Sequence, residues 1–361
     1  MHVGAPKTGT TYLQDRLAIN AKSLSAHDVH IPTRAPMMST GMFHFRAALD
    51  LMGQDWGGPP GHAQGAWDAM VRRVRRADGA VIISHEILAP AEPAHVARLK
   101  SDVDAGRETE IHIVYSARDL ARQAPAGWQE SVKQGRRWKY GRYLSRIRNG
   151  QPWFARAFDL PTVLSTWGNG LPPERVHVVT VPQQDAAEAE PDLLWQRFCR
   201  AFAIEPDWAP EDSERTNASL GSAETQVLRA LNERIDRTTR NNPGYDALIL
   251  GMLADETLGG RSSPPILLPP KFHDWARERG ERWVEWLEQS GVDVVGDPAD
   301  LLPEPWPEGQ KFLHPDRVSS KAQLRAALDA LAAMTEEAAS RPDPDASTLS
   351  RIRRARETYK R

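Results

Sequence analysis

The sequence predicts an α/β fold, a parallel sheet flanked by helices, followed by a helical C-terminal extension. Three observations predict it. A glycine-punctuated run, Gly4-Ala5-Pro6-Lys7-Thr8-Gly9-Thr10-Thr11, leads from Met1-His2-Val3 straight into a helical pattern. Short β-branched runs at 80–84, 111–116 and 176–181 alternate with helical stretches, as parallel strands joined by crossover helices do. From about residue 222 the strand pattern gives way to amphipathic helices with proline-rich joints. The chain therefore divides into an α/β domain over 1–221 and a helical extension over 222–361.

Each element has its own signal. Leu13, Leu17 and Leu24 recur at helical spacing over Thr10 to Leu24, which predicts the helix after the glycine turn. Residues 25–64 are rich in Pro, Gly, Met and His and read as irregular. Trp67, Met70, Val71 and Val74 form one helical face, ringed by Arg72, Arg73, Arg75 and Arg76. Ala80-Val81-Ile82-Ile83-Ser84 reads as a buried strand. Val96, Leu99 and Val103 mark the next helix, Ile111 to Ser116 a strand, Val176 to Val181 another, and Leu194, Phe198 and Phe202 a helix. In the extension, Leu228, Leu231 and Ile235 share a face, as do Trp283, Val284 and Leu287, and Lys321 to Arg341 is an alanine-rich helix. The last residues, SRIRRARETYKR, read as a frayed charged tail. No internal repeat is visible.

Composition narrows the function. The 361 residues carry 40% hydrophobic content and a net charge of −2. That supports a sizeable core and argues against a nucleic-acid partner. Cys199 is the single cysteine, so neither a disulfide nor a thiolate metal cluster is expected. No HExxH, CxxC or clustered His/Asp pattern appears, so no metal is expected. No apolar run reaches about 18 residues, so no membrane span is expected. With the loop beginning at Gly4, the expectation is a cytoplasmic protein whose first strand is truncated, its true start lying upstream.

The loop carries the chemistry. Gly4 and Gly9 have the separation of G-x-x-x-x-G-K-[ST], and Thr11 supplies the hydroxyl, but Thr10 stands where that motif has lysine. The only loop lysine is Lys7. Backbone N–H groups in a glycine turn at a helix N-terminus form an anion site, here joined by the Thr10 and Thr11 hydroxyls. A P-loop NTPase-like sheet places its ligands beyond the carboxyl ends of the strands, which singles out the loop, His85-Glu86 and Arg118.

PKTGTTYL resembles the 5′-phosphosulfate loop of the sulfotransferases that use 3′-phosphoadenosine-5′-phosphosulfate (PAPS) as donor. The resemblance covers about residues 1–220. It implies that Pro6, Lys7, Thr8, Gly9, Thr10 and Thr11 hold the donor phosphate, with Lys7 stabilising the leaving oxygen. It implies that Arg118, following the strand IHIVYSARD, binds the 3′-phosphate. The serine the family places eight residues later is Ala126, with Gln129 and Ser131 the nearest substitutes. Arg215, in RTNAS, is the candidate for the family's late basic segment; its other reading is a solvated loop arginine. His85, in Ile83-Ser84-His85-Glu86, stands where many members have the base that deprotonates the acceptor; Ile83 replaces their lysine. Glu86 is the rival base, and on a strand only one of the two would face the cleft. His44 between phenylalanines reads as a packed residue. The basic, aromatic stretch from Lys133 to Arg148 reads as a helix with its aromatics turned inward. The expected activity is sulfonate transfer from PAPS to a hydroxyl or amine of a small-molecule or carbohydrate acceptor. A P-loop kinase or NTPase and a non-catalytic nucleotide-binding protein are the alternatives. Acceptor identity and oligomeric state have no sequence signal.

Overall fold

The computed structural model describes residues 1–341 apart from 35, 105, 107–108, 152, 214–218, 241–242 and 262. The charged tail read from the sequence and Arg215 lie outside the described residues.

The fold is mixed α/β with parallel strands flanked by helices. β1 (Val29–His30) pairs with β2 (Ala80–Val81). β3 (Ile113–Ala117) pairs with β4 (Val176–Thr180), and β4 with β5 (Asp293–Val295). Every pair is parallel. Residues 1–5 run between the two groups. His2 bridges both Ser84 and Val114. The His2 N–H donates to Ile83 O at 2.8 Å, Val3 to Val114 O at 3.0 Å and Ala5 to Ser116 O at 2.8 Å. Val3 and Ala5 have no exposed surface. The short opening segment thus acts as the central strand, in the order β1, β2, residues 1–5, β3, β4, β5.

Two elements differ from the sequence reading for local reasons. α1 (Thr10–Ile19) stops at Asn20 instead of running to Leu24, and a short helix resumes at Ala21–Ser25. The buried Asn20 amide donates to Arg16 O at 2.8 Å and Glu211 O at 2.7 Å, a side-chain competition for backbone that breaks helices. The strand expected over 80–84 keeps its ladder to β1 only at Ala80 and Val81. The partner runs into Pro32, which has no N–H, and Ser84 bridges His2 instead.

α2 (Thr40–Leu51), α3 (Ala66–Val74) and α4 (Pro93–Asp104) follow β1 and β2. α5 (Leu120–Lys133) leaves β3 through Asp119, whose Oδ1 accepts from Arg122 N–H at 3.0 Å. It contains Pro125, which leaves the Ala121 carbonyl without its helical donor. It also contains Gly127, where a Cβ would lie 2.5 Å from the Tyr143 hydroxyl of α6 (Tyr140–Arg148). α7 (Leu193–Phe202) covers β4 and β5.

Beyond residue 221 the chain is mainly helical: α8 (Ser222–Arg234), a π-helical run Ala247–Leu258, α9 (His273–Ser290) and α10 (Ser320–Ser340). It is not purely so. β5 belongs to this portion and joins the sheet beside β4, so the sheet crosses the boundary expected at 221. One apolar cluster likewise joins Trp128, Tyr140, Leu228, Leu253 and Trp283. A three-residue strand completing a sheet from afar has too short a pattern to be read in isolation.

Candidate functional site

The loop is held from beneath by a buried polar network. His2 Nδ1 meets Ser84 Oγ at 2.7 Å and His2 Nε2 meets Ser116 Oγ at 3.2 Å. Ser116 Oγ also donates to Gly4 O at 2.9 Å, and Thr8 Oγ1 donates to Ala5 O at 2.6 Å. Burial first, then the charge of the N-terminus, pushes His2 down to about 3. It is therefore a neutral brace. Gln123 of α5 donates to Pro6 O at 3.0 Å.

The backbone of the loop is tightly specified. Lys7 adopts φ 66° and Gly9 φ 86°, conformations that a side chain resists. A Cβ on Gly9 would lie 2.8 Å from Leu194 Cδ2 of α7. Gly9 forms the N-cap of α1 without any side-chain cap, so the first N–H groups of that helix, at Thr10 and Thr11, have no intrahelical acceptor. With the helix dipole they make an anion-binding end.

A cleft of about 1240 Å³ opens in front of this end. Pro6, Lys7, Gly9, Thr10, Thr11 and Arg118 all line it. Thr8 is buried behind it. Lys7 Nζ pairs with Glu130 Oε2 of α5 at 3.3 Å. Burial pushes the Glu130 carboxyl up, but Lys7 and Lys133 pull harder and hold it below its ordinary range.

Arg118 follows β3. Its Nη1 donates to Lys7 O at 3.3 Å, and its buried Nε has no acceptor. Asp119, the adjacent carboxylate, is taken by Arg122. Arg118 has no ion-pair partner among the described residues. Burial, with Arg122 nearby and Asp119 opposing, lowers the guanidinium to about 10. A half-buried cation at a cleft with no carboxylate beside it is available to an anion that enters there. Ala126, Gln129 and Ser131 line the same cleft. The Gln129 amide donates to Leu220 O and Ser131 Oγ to Gly127 O, the latter at 3.0 Å, so each substitute for the absent serine already has a backbone acceptor.

The strand-end pair separates. The chain is extended at His85 and turns into a 3-10 helix over Glu86–Leu88. Glu86 lines the cleft. It packs against the loop, since a Cβ on Gly4 would lie 3.3 Å from Glu86 Cα. Gln14 of α1 donates to Glu86 Oε2 at 3.1 Å. His85 does not line the cleft. Its Nδ1 accepts from Ile87 N–H at 3.2 Å, and its ring lies 5.4 Å from that of Phe45. Burial lowers its affinity for a proton, with Glu86 opposing. His44 is packed as expected. Its Nε2 meets Pro32 O at 2.8 Å, and burial lowers it to about 4.

Sequence reading missed Gln14, Gln123 and Glu130. The last two share one face of α5 with Ala126 and Gly127, at i, i+3, i+4 and i+7, and that polar face is a usable signal once Arg118 is suspected. Among the described residues, no three His, Cys, Asp or Glu side chains converge as a metal site. No described helix is long and apolar enough to cross a membrane.

No family model and no curated protein matches the chain. A solved structure of a sulfotransferase from Alicyclobacillus acidocaldarius matches at 16% identity, covering 66% of this chain and 96% of that one, with a TM-score of 0.37.

Proposed function

We propose that this chain transfers a sulfonate group from PAPS to a hydroxyl or amine of a small acceptor. The observation that carries the reading is Arg118: a half-buried guanidinium, without a carboxylate partner among the described residues, in the same cleft as Lys7 and the open N-terminus of α1. Two cationic groups and a helix end at one cleft suit a ligand with two separated anionic groups. The cleft, about 1240 Å³, exceeds what a nucleotide bisphosphate needs.

In this reading Thr10, Thr11 and the loop N–H groups hold the 5′-phosphate and Arg118 holds the 3′-phosphate. Bound there, PAPS supplies the sulfonate, its S–O bond to phosphate breaking as the acceptor oxygen or nitrogen bonds to sulfur. Lys7 lies where negative charge grows on the departing oxygen and stabilises it. Glu86 takes the acceptor proton, because it is the strand-end group that borders the cleft. His85, tied to the Ile87 N–H, positions the turn that presents Glu86. Arg215 is assigned no role.

Calorimetric titration with 3′,5′-ADP beside ATP–Mg²⁺ tests this. Binding of the bisphosphate, weakened in Lys7→Ala and in Arg118→Ala, is expected. Preference for ATP–Mg²⁺ would replace the reading with a kinase or NTPase. Binding of neither would overturn it.

A further inference from the structure

α10 (Ser320–Ser340) turns one face to the body and leaves another uncovered. Ala326 and Ala330 are buried against α8 and the π-helical run. On the outer side Leu324, Leu328 and Leu331 are 59%, 54% and 61% exposed. Scattered single leucines on a surface need no explanation, but these follow one another at intervals of four and three residues. That spacing is a seam with the 3.5-residue repeat of paired helices. Leu324 and Leu331 also rim an apolar groove of about 1560 Å³, whose other wall includes Val227, Leu231, Leu248 and Met252.

The charges around the seam say what covers it. Lys321 and Arg325 stand at the start of α10 and have no ion-pair partner among the described residues. Glu336 stands near its end; Glu337 lies on the opposite side from Leu328, paired with Arg341 at 3.5 Å. The start of the face carries two cations and its end one anion. A second α10 running antiparallel sets each basic end against an acidic end and opposes the two helix dipoles favourably. With the two-fold axis between Leu328 and Leu331, those leucines meet each other, and Arg325 comes to the same side as the partner's Glu336. A self-complementary face of this kind is what a two-fold dimer requires. An anionic lipid surface would be attracted by the basic end and repelled by the acidic one.

We infer that α10 is a self-association surface through which two copies of this chain pair antiparallel along Leu324, Leu328 and Leu331. The seam is narrower than the roughly 800 Å² per partner of a standard interface. The association is accordingly reversible.

Sedimentation equilibrium on the full chain, over about 1 to 100 µM where interfaces of this size exchange, should show a monomer–dimer equilibrium. Leu328→Lys should abolish the dimer while leaving the urea midpoint unchanged at concentrations where the chain is monomeric, because that side chain is already half exposed. Arg325→Glu should weaken dimerisation by at least about threefold, the size of a partly exposed ion pair. Combining it with Glu336→Arg should restore it. A monomer at every concentration overturns the inference, and so does a dimer indifferent to Leu328→Lys. Leu328-dependent binding to phosphatidylglycerol vesicles by a chain that stays monomeric would also overturn it.

Discussion

Glu130 makes a quantitative prediction about the proposed donor site, which contains an anion of its own. Its carboxylate lies 3.3 Å from Lys7 Nζ, so any donor phosphate must compete for that lysine and approach a like charge. Two unit charges at 3.3 Å attract by about 5 kcal/mol at an effective dielectric constant of about 20, and by about 1.3 kcal/mol in bulk water. The two side chains are 33% and 24% exposed, so solvent screens the pair and the low end applies. Glu130→Gln should therefore tighten 3′,5′-ADP binding by about 1.4 kcal/mol, or tenfold. The isosteric amide keeps a partner for Gln134, which donates to Glu130 Oε1 at 3.1 Å. The assay is calorimetry at low and high salt, with the gain expected to shrink as salt rises. Repeating it in a Lys7→Ala background isolates the coupling, because without the lysine only direct repulsion by Glu130 remains to be removed. Equal or weaker affinity in Glu130→Gln, with an unchanged melting temperature, would refute the competition. A gain of the same size with and without Lys7 would show that the lysine does not engage the ligand.

Four further outcomes are expected. Arg118→Ala should cost at least about tenfold in 3′,5′-ADP affinity, since hydrogen bonds to charged groups contribute about 1.5–3 kcal/mol; thermal unfolding of the empty protein should change little, because Arg118 is half-buried and its hydrogen bond to Lys7 O is long, at 3.3 Å. Glu86→Gln should lower 3′,5′-ADP release from PAPS, measured across phenol, amine and sugar acceptors, by about 10²-fold, with His85→Ala having a much smaller effect; the reverse ranking would return the base role to His85. Gly9→Ala should lose about 1–2 kcal/mol in urea unfolding because φ is 86° there, and Leu194→Ala should recover only the part due to the side-chain clash. His2 and His44, held by burial down to about 3 and about 4, stay neutral when folded but take up protons when unfolded as pH falls below 6.5. Stability should therefore fall between pH 6.5 and 5, by up to about 1.4 kcal/mol per pH unit for each, and His44→Gln should reduce the slope of the urea midpoint.

Much of the candidate site was legible because its signals are local. Gly4, Lys7, Gly9 and the threonines lie within one turn of chain, and Arg118 follows a β-branched run at a strand end. The choice between His85 and Glu86 was not legible. Alternation along a strand said that the two diverge, but not which faces the cleft. The structure answers by ending the strand early: the chain turns after His85, and a backbone N–H takes its Nδ1. Nor was it legible whether the neighbouring carboxylate would be left to Arg118. Asp119 caps α5 and holds Arg122, a competition among neighbours that sequence spacing cannot rank.

By itself the sequence determined the layered α/β character, the position of the glycine-turned loop ahead of its helix and the helical character of the C-terminal portion, because hydrophobic period and glycine placement are properties of consecutive residues. Only the tertiary structure decided that residues 1–5 form the central strand, that Asp293–Val295 completes the sheet across the expected boundary, and that Glu130 neutralises Lys7. Each of these is a contact between residues far apart in the chain, and such contacts are selected by packing and charge compensation in three dimensions, which leave no periodic trace in the order of the residues.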